Sequence, residues 1–344
     1  EDDNKIIFSK KDPKKDFFLY MTTFLKRLKN KGVLLAICSK NNFEDVKKFF
    51  DKNKKYLLNF DDFIVKKINW DLKSKNILEI SKDLKLGTGS FIFLDDSKHE
   101  INEVKTAIND IDCFMVPQNL NHYKRTLMNI YKYFNYSSFN TGEDSKRTLL
   151  YKQEKERDKI KSKYSYKEYL KSLKLEMMFA DGKKFDFNRL VQMTQKTNQF
   201  NLTILRQNEQ EFQKKLKSNK NIIYAFSLKD KFGDYGTVGL CQIKIVNKNI
   251  VVIENFLMSC RVLGRNVEKT FLNEILKNLK KMKFKKIYGI YSKGPKNKIV
   301  KNFYKDNGFS QVNNKNIKYS GELYCYNNKT EIDTLSVIKI KYGK

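Results

Sequence analysis

Apolar and polar positions are patterned differently in the two halves of this chain. Up to about residue 116, short solidly apolar runs are separated by amphipathic stretches of helical period. FFLYMTTFLKRLKNK (17–31) has helical spacing and is followed by Gly32, a helix stop. VLLAIC (33–38) reads as a strand buried on both faces, SKNN (39–42) as a polar turn and FEDVKKFFDKN as an amphipathic helix. IVKKINW (64–70) reads as a weaker strand or loop and SKNILEISKDLKL (74–86) as a helix. FIFL (91–94) is a second buried strand, HEINEVKTAI (99–108) a helix and CFMV (113–116) a further strand. Strands spaced by helices of this length predict a parallel sheet wrapped on both faces, with sites at the C-terminal strand ends.

From about 120 to 178 the pattern turns helical and highly charged, with TGED (141–144) and SYKE (165–168) as N-cap signals, the second a capping box. This predicts a helical connector over 136–178, between a first domain over 1–135 and a second over 179–344, with the alternative that the stretch belongs wholly to one domain. In the second, FNRLVQMTQKT (187–197) predicts a helix. IIYAFSLKD (222–230) and TVGLCQIKIV (237–246) predict strands flanking the turn KFGDYG. VVIENFLM (251–258) is a third strand, and RVLGRN (261–266) opens the helix VEKTFLNEILKNLKKM. Strand KIYGIYS and helix IVKNFYKDNGF follow. An antiparallel meander running into a helix predicts an α+β domain distinct from the first.

Length and composition set bounds on this picture. The 344 residues suit two domains, and 40% apolar with 13% aromatic residues is ample for ordinary cores. No apolar run approaches the length of a membrane span. Five scattered cysteines, with no C-x-x-C pair, argue against a zinc ribbon or disulfide framework and for a reducing, cytoplasmic compartment. Two histidines make a Ser-His-Asp triad or a His-rich metal site hard to build, whereas magnesium with oxygen ligands suits the inventory. Net charge is +31, from 70 basic and 39 acidic residues. A polyanion or an anionic membrane is one reading. The other is compositional, because Lys, Asn and Ile crowd the whole chain without the Arg and aromatic interleaving of a stacking surface, and nucleic acid is not favoured. Against so many lysines, the eight arginines, Arg261 and Arg265 among them, point to sites that need a planar fork.

The segment SFIFLDDSKHE (90–100) runs four apolar residues into two adjacent carboxylates, Asp95 and Asp96. Two such charges about 4 Å apart repel by roughly 4 kcal/mol at a surface-like dielectric, so water or a cation must offset them. Ser39 follows a buried strand and precedes a helix, so its hydroxyl and the nearby N–H groups through Asn41 can hold a phosphate. Lys73, at the start of the next helix, would neutralise that phosphate, and the Asp pair would hold Mg²⁺ facing it.

AICSKNN (36–42), INWDLKSKNI (68–77) and FIFLDDSKHE (91–100) resemble motifs two, three and four of FkbH-like proteins of the haloacid dehalogenase superfamily, subfamily IIIC. The resemblance extends through TGEDSKRTLLYKQEKER (141–157), TQKTNQFNLT (194–203), DKFGDYGTVG (230–239) and MSCRVLGRNVE (258–268). It implies a Rossmann-like, magnesium-dependent phosphoryl-handling domain followed by an acetyltransferase-like (GNAT-like) domain. Family members act in polyketide or surface-polysaccharide biosynthesis, and the best-understood type moves a glyceryl group from a phosphorylated donor to an acyl carrier protein. By the resemblance Ser39 and Asn41 bind phosphate, Lys73 stabilises it, and Asp95 and Asp96 serve the metal. This chain has Ser97, Lys98 and Ile101 where the family favours Asn, Pro and Arg.

The family's first motif, a strand ending in Asp-x-Asp that carries the nucleophile, should precede Glu1. Asp2 and Asp3 follow no strand, so the expectation is of a cut chain unable to remove phosphate. Cys38 is a candidate acyl acceptor, with a small residue closing a buried strand as the plainer alternative. Arg261-x-x-Gly264-Arg265-Asn266 resembles the acetyltransferase pyrophosphate loop, implying coenzyme A or phosphopantetheine as ligand. Asn297 through NFYKDNGF (302–309) resembles the same fold's second substrate motif, with Tyr304 as an acid. Two rivals stay open: a non-catalytic module docking carrier protein or polyanions, and a plain phosphatase for a phosphorylated small molecule.

Overall fold

The computed structural model describes residues 14–53, 58–117, 119–134, 146–314, 317, 319–327 and 337–343. The Asp2–Asp3 pair and the TGED signal lie outside these residues. The chain forms two compact units, Glu1–Glu154 and Lys155–Lys344.

In the first unit, α1 (Lys14–Asn30) ends at Gly32, whose φ of 83° is open to glycine without strain. β1 (Leu35–Ser39) pairs in parallel with β2 (Phe63–Ile68), and β3 (Ile92–Asp95) in parallel with β4 (Asp112–Met115). Helices α2 (Phe43–Lys52), α3 (Lys73–Leu84), α4 (Lys98–Ala107) and α5 (Leu120–Tyr133) alternate with them. One face of the strands packs on α1 and α5, where Phe24, Leu28, Leu127 and Ile130 meet Ile92, Leu94 and Phe114. On the other face Phe93 packs against Ile77 of α3 and Ile101 and Val104 of α4. Each fully buried side chain of this size contributes about 1.5–3 kcal/mol. The expected three-layer α/β arrangement is therefore present.

The sheet, however, is not continuous. Among the described residues β1 pairs only with β2 and β3 only with β4. Between them lies a cavity of about 470 Å³, lined by Leu35, Ala36 and Cys38 of β1 and by Ile92, Phe93 and Leu94 of β3. Side chains of α1 and α5 close one face of it and side chains of α3 the other. This corrects the expectation of two fully buried strands: Ala36 is exposed, and Ile37, Cys38, Ile92 and Leu94 are only half-buried. Each strand has one paired edge and one edge facing the cavity.

Helix α6 (Arg147–Lys161) follows, and the division between the units falls within it. In the second unit α7 (Tyr166–Leu173) starts on the expected capping box: Ser165 accepts from the Glu168 N–H, and the Glu168 carboxylate accepts from the Ser165 N–H. An eight-stranded sheet then runs in the order β10-β11-β9-β8-β7-β6-β5-β12. Its members are β5 (Glu176–Asp181), β6 (Asn221–Asp230), β7 (Gly233–Asn247), β8 (Ile250–Met258), β9 (Lys286–Tyr291), β10 (Phe309–Val312), β11 (Glu322–Tyr326) and β12 (Lys339–Tyr342). Helices α8 (Phe187–Lys196), α9 (Glu209–Lys217) and α10 (Val267–Lys281) complete it. β5 to β8 form an antiparallel meander, and α10 crosses over to place β9 parallel to β8. This is the α+β, GNAT-like order expected. The core is aromatic-rich, with Phe271 in contact with both Phe226 and Phe256.

Local expectations are corrected in three places. The end of the predicted connector is strand β5, whose apolar residues read equally well at helical period. KFGDYG is mostly strand, and the turn shrinks to two residues because the Asp230 carboxylate accepts from the Phe232 and Gly233 N–H groups. IVKNFYKDNGF forms only two short 3-10 turns, Lys298–Val300 and Lys305–Asn307. There burial of the adjacent Phe303 and Tyr304 overrides helical period. Among the described residues, no helix is long and apolar enough to cross a membrane.

Candidate functional site

The C-terminal ends of β1 and β3 and the start of α3 bring the first group of residues together. Ser39 ends β1, with its carbonyl accepting from the Asn69 N–H at 3.1 Å. Asp95 ends β3 and is buried. Its Oδ1 accepts from the Ser97 N–H at 2.9 Å, and its Oδ2 accepts from the Lys73 ammonium. Lys73 is the first residue of α3 and is itself nearly buried. Asp96 is exposed to water. The repulsion between the two carboxylates is thus offset twice over, by a lysine on the buried one and by solvent on the other.

Asn41 is turned back on its own loop, its side-chain oxygen accepting from the Asn42 N–H at 2.7 Å. That bond occupies the Asn42 N–H and the Asn41 side-chain oxygen, and leaves the Asn41 side-chain amide N–H groups as donors. Beside it Trp70, 70% exposed, donates its indole N–H to Asn42 Oδ1 at 3.3 Å. Cys38 sits among Lys73, Asp95, Glu100 and Glu103, and burial pushes its thiol up to about 12, against a smaller opposing pull from Lys73. Its Sγ points to the Lys73 carbonyl at 3.7 Å. A thiol so raised is not an activated nucleophile at neutral pH, which corrects the acyl-acceptor expectation in favour of a residue closing a strand.

The oxygen-donor chemistry of Asp95 and Asp96 suits Mg²⁺, but the set is incomplete. Both Asp95 oxygens already have protein partners, and no group of three His, Cys, Asp or Glu among the described residues could hold a metal ion. These two carboxylates would supply part of a magnesium coordination sphere.

Sequence reasoning overlooked two acids on α4. Glu100 accepts from the Lys40 ammonium at 2.7 Å, and Glu103 accepts from both the N–H and the hydroxyl of Ser74. Their i, i+3 spacing in HEINE was the available signal.

In the second unit, Arg261, Gly264 and Arg265 lie on the loop that enters α10. Gly264 has φ of 73°, open space where a Cβ would stand, and a carbonyl accepting from the Tyr166 hydroxyl at 3.2 Å. Arg265 is buried, donating to the Arg261 carbonyl at 2.8 Å and facing the Tyr235 ring at 5.3 Å. Asn266, left-handed at φ 56°, makes no side-chain cap for α10, and the Glu268 carboxylate in its first turn accepts from the Glu268 N–H.

The other two expected ligand residues have different work. β8 and β9 pair only from Ile250↔Lys286 to Ile253↔Gly289 and then part. Phe200–Leu202 fills the notch: the Met258 N–H donates to the Phe200 carbonyl at 2.9 Å, Leu202 N–H to Phe256 at 3.0 Å and Ser292 N–H to Leu202 at 2.8 Å. Asn297 is wholly buried and fastens this segment, donating to the Asn201 and Ser292 carbonyls, each at 2.9 Å. Tyr304 lies in the core against Gly289, its hydroxyl without a hydrogen-bond partner, and burial drives its ionisation well above the ordinary value. Neither residue is open to a ligand. Among the described residues, the notch between β8 and β9 is filled by Phe200–Leu202.

No protein-family description matches the chain. No curated protein matches it. Among solved structures, the chain is similar to the N-terminal part of a Bacteroides fragilis protein containing a phosphatase domain complexed with Mg. That likeness has 29% identity and a TM-score of 0.36, and covers 40% of this chain and 36% of that one. The chain thus spans about a third of that N-terminal part. It is also similar to a GNAT family acetyltransferase from Elizabethkingia anophelis with acetyl-CoA bound, at 13% identity and a TM-score of 0.27, covering 35% of this chain and 82% of that one. A third likeness, to the ribosomal-protein-S18-alanine N-acetyltransferase of Escherichia coli, has 10% identity, a TM-score of 0.34 and coverages of 44% and 92%.

Proposed function

We propose that the first unit is a phosphoryl-handling centre in which Ser39, the N–H groups of the SKNN turn and Lys73 receive a phosphate. Asp95 and Asp96 are two of the carboxylates for a metal in this reading. The observation that carries it is the meeting of Lys73 with Asp95 at the C-terminal end of β3, beside Ser39 at the end of β1. In this reading the nucleophilic carboxylate belongs to the Asp-x-Asp strand that the resemblance implies.

The finer reading is an FkbH-like enzyme. It takes a phosphorylated, glyceryl-type acyl donor and passes the acyl group to an acyl carrier protein thiol, in polyketide or surface-polysaccharide biosynthesis. The motifs from AICSKNN to FIFLDDSKHE support it, and a net charge of +31 suits the acidic face of a carrier. The second unit then serves as the docking body for the carrier.

Phosphate release from an acyl-phosphate donor by the complete protein with Mg²⁺ tests this. Asp95→Asn should abolish turnover with circular dichroism unchanged, and retained turnover would remove the metal assignment. The rival, a polyanion-docking module, is favoured by the incomplete metal set. It predicts binding with a steep salt slope and no metal dependence.

A further inference from the structure

We infer that Glu103 is a positioning residue of this anion site, capping the start of α3 from a neighbouring helix and so holding Lys73 on Asp95. The inference rests on the phosphoryl reading only for what Lys73 receives.

The start of α3 has a defect that its own sequence does not mend. Leu72 occupies the N-cap position and makes no side-chain cap, although the first N–H groups of any helix lack partners within it. Glu103, on α4, supplies the missing acceptor. Its Oε2 accepts from the Ser74 N–H at 3.1 Å and its Oε1 from the Ser74 hydroxyl. A carboxylate at a helix N-terminus also sits favourably on the helix dipole.

The contacts close into a ring. Asp95 Oδ1 accepts from the Ser97 N–H, and Ser97 caps α4 by accepting from the Glu100 N–H at 3.4 Å. α4 carries Glu103 to Ser74, and Ser74 adjoins Lys73, whose ammonium returns to Asp95 Oδ2. One turn before Glu103 on the same helix, Glu100 holds Lys40, next in sequence to Ser39. Helix α4 therefore sets the place of both ammonium groups beside the strand ends. Lysine has four rotatable bonds, so its ammonium stays put only while its Cα is fixed. Fraying the first turn of α3 would release it.

Lysine acylation of the full chain, read by mass spectrometry, tests the role without presuming a ligand. Compared are Glu103→Ala, Glu103→Gln and Asn119→Ala. The last removes an equivalent cap elsewhere in the unit, where Asn119 Oδ1 accepts from Asn121 and His122 N–H groups at 3.0 and 3.4 Å. Glu103→Ala should raise Lys73 labelling about tenfold over Asn119→Ala, the order expected for a lost cap. Glu103→Gln, which keeps an acceptor, should restore protection. Lys73 as protected in Glu103→Ala as in Asn119→Ala would overturn the inference. If Glu103→Ala does not fold, Ser74→Ala cuts one of the two links. A severalfold rise in labelling then supports the role, and none refutes it. Inorganic phosphate titrations run in parallel keep the two ideas apart: a native protein that binds no phosphate sinks the phosphoryl reading, while the labelling still decides the positioning role.

Discussion

The Lys73 ammonium rests on the Asp95 carboxylate, with the two side chains only 11% and 7% exposed. An ion pair this sheltered is costly to break from one side, because the partner is left as a buried, uncompensated charge. Lys73→Met should therefore destabilise the first unit by about 3–5 kcal/mol in urea unfolding. A loss under about 1 kcal/mol would mean the pair behaves as a surface one.

Cys38 should be slow to alkylate. With its thiol pushed up to about 12 by burial, it is essentially all protonated at neutral pH, whereas Cys260 is exposed. Timed iodoacetamide labelling at pH 7 should modify Cys260 first, and Cys38 should speed up by roughly tenfold per pH unit in the alkaline range. Equal rates at pH 7 would contradict this and revive the covalent role.

Arg157 and Asp230 give the second unit an acid sensitivity. Their side chains are 1% and 0% exposed, and the guanidinium makes two hydrogen bonds to the carboxylate, at 2.7 and 2.8 Å. Burial alone would raise the Asp230 carboxyl, but Arg157, the Phe232 N–H and the Tyr235 hydroxyl together bring it below its ordinary value. A carboxyl lowered in the folded state stabilises above its unfolded pKa of about 3.9, and that contribution is lost as pH falls through the folded value. Melting temperature should drop below about pH 4, and Asp230→Asn, already less stable at pH 7, should show a shallower drop over that range. Parallel slopes for the two proteins would refute the assignment.

Asn297 should matter for stability rather than for ligand affinity. Removing its amide strands the Asn201 and Ser292 carbonyls and the Gly294 N–H, which donates to Asn297 Oδ1 at 2.7 Å. Asn297→Ala should cost about 2 kcal/mol or more and speed hydrogen exchange at the Met258 and Ser292 amides. Unchanged exchange there would show that Phe200–Leu202 does not depend on this anchor.

The sequence was most legible where pattern and local chemistry agreed. The strands ending at Ser39 and Asp95, the helix opened by Lys73 and the Ser165 capping box all lie where apolar period and end signals coincide. It was least legible where tertiary contacts decide. β5 hides in a charged, helical stretch, and Tyr304 is drawn into the core beneath Gly289. The Asp95–Asp96 pair and Lys73 were each legible, but not that the Lys73 ammonium rests on Asp95 itself, a contact that spacing along the chain does not show. Glu103 escaped notice because a cap supplied from another helix leaves no mark beside the residue it serves.

The most direct test of the account is isothermal titration of the full chain with inorganic phosphate, set beside Lys73→Met with its fold checked by circular dichroism. The account predicts phosphate binding by the native chain and loss of the first unit's site in the variant. Absence of binding to the native chain, or undiminished binding to Lys73→Met, would contradict it.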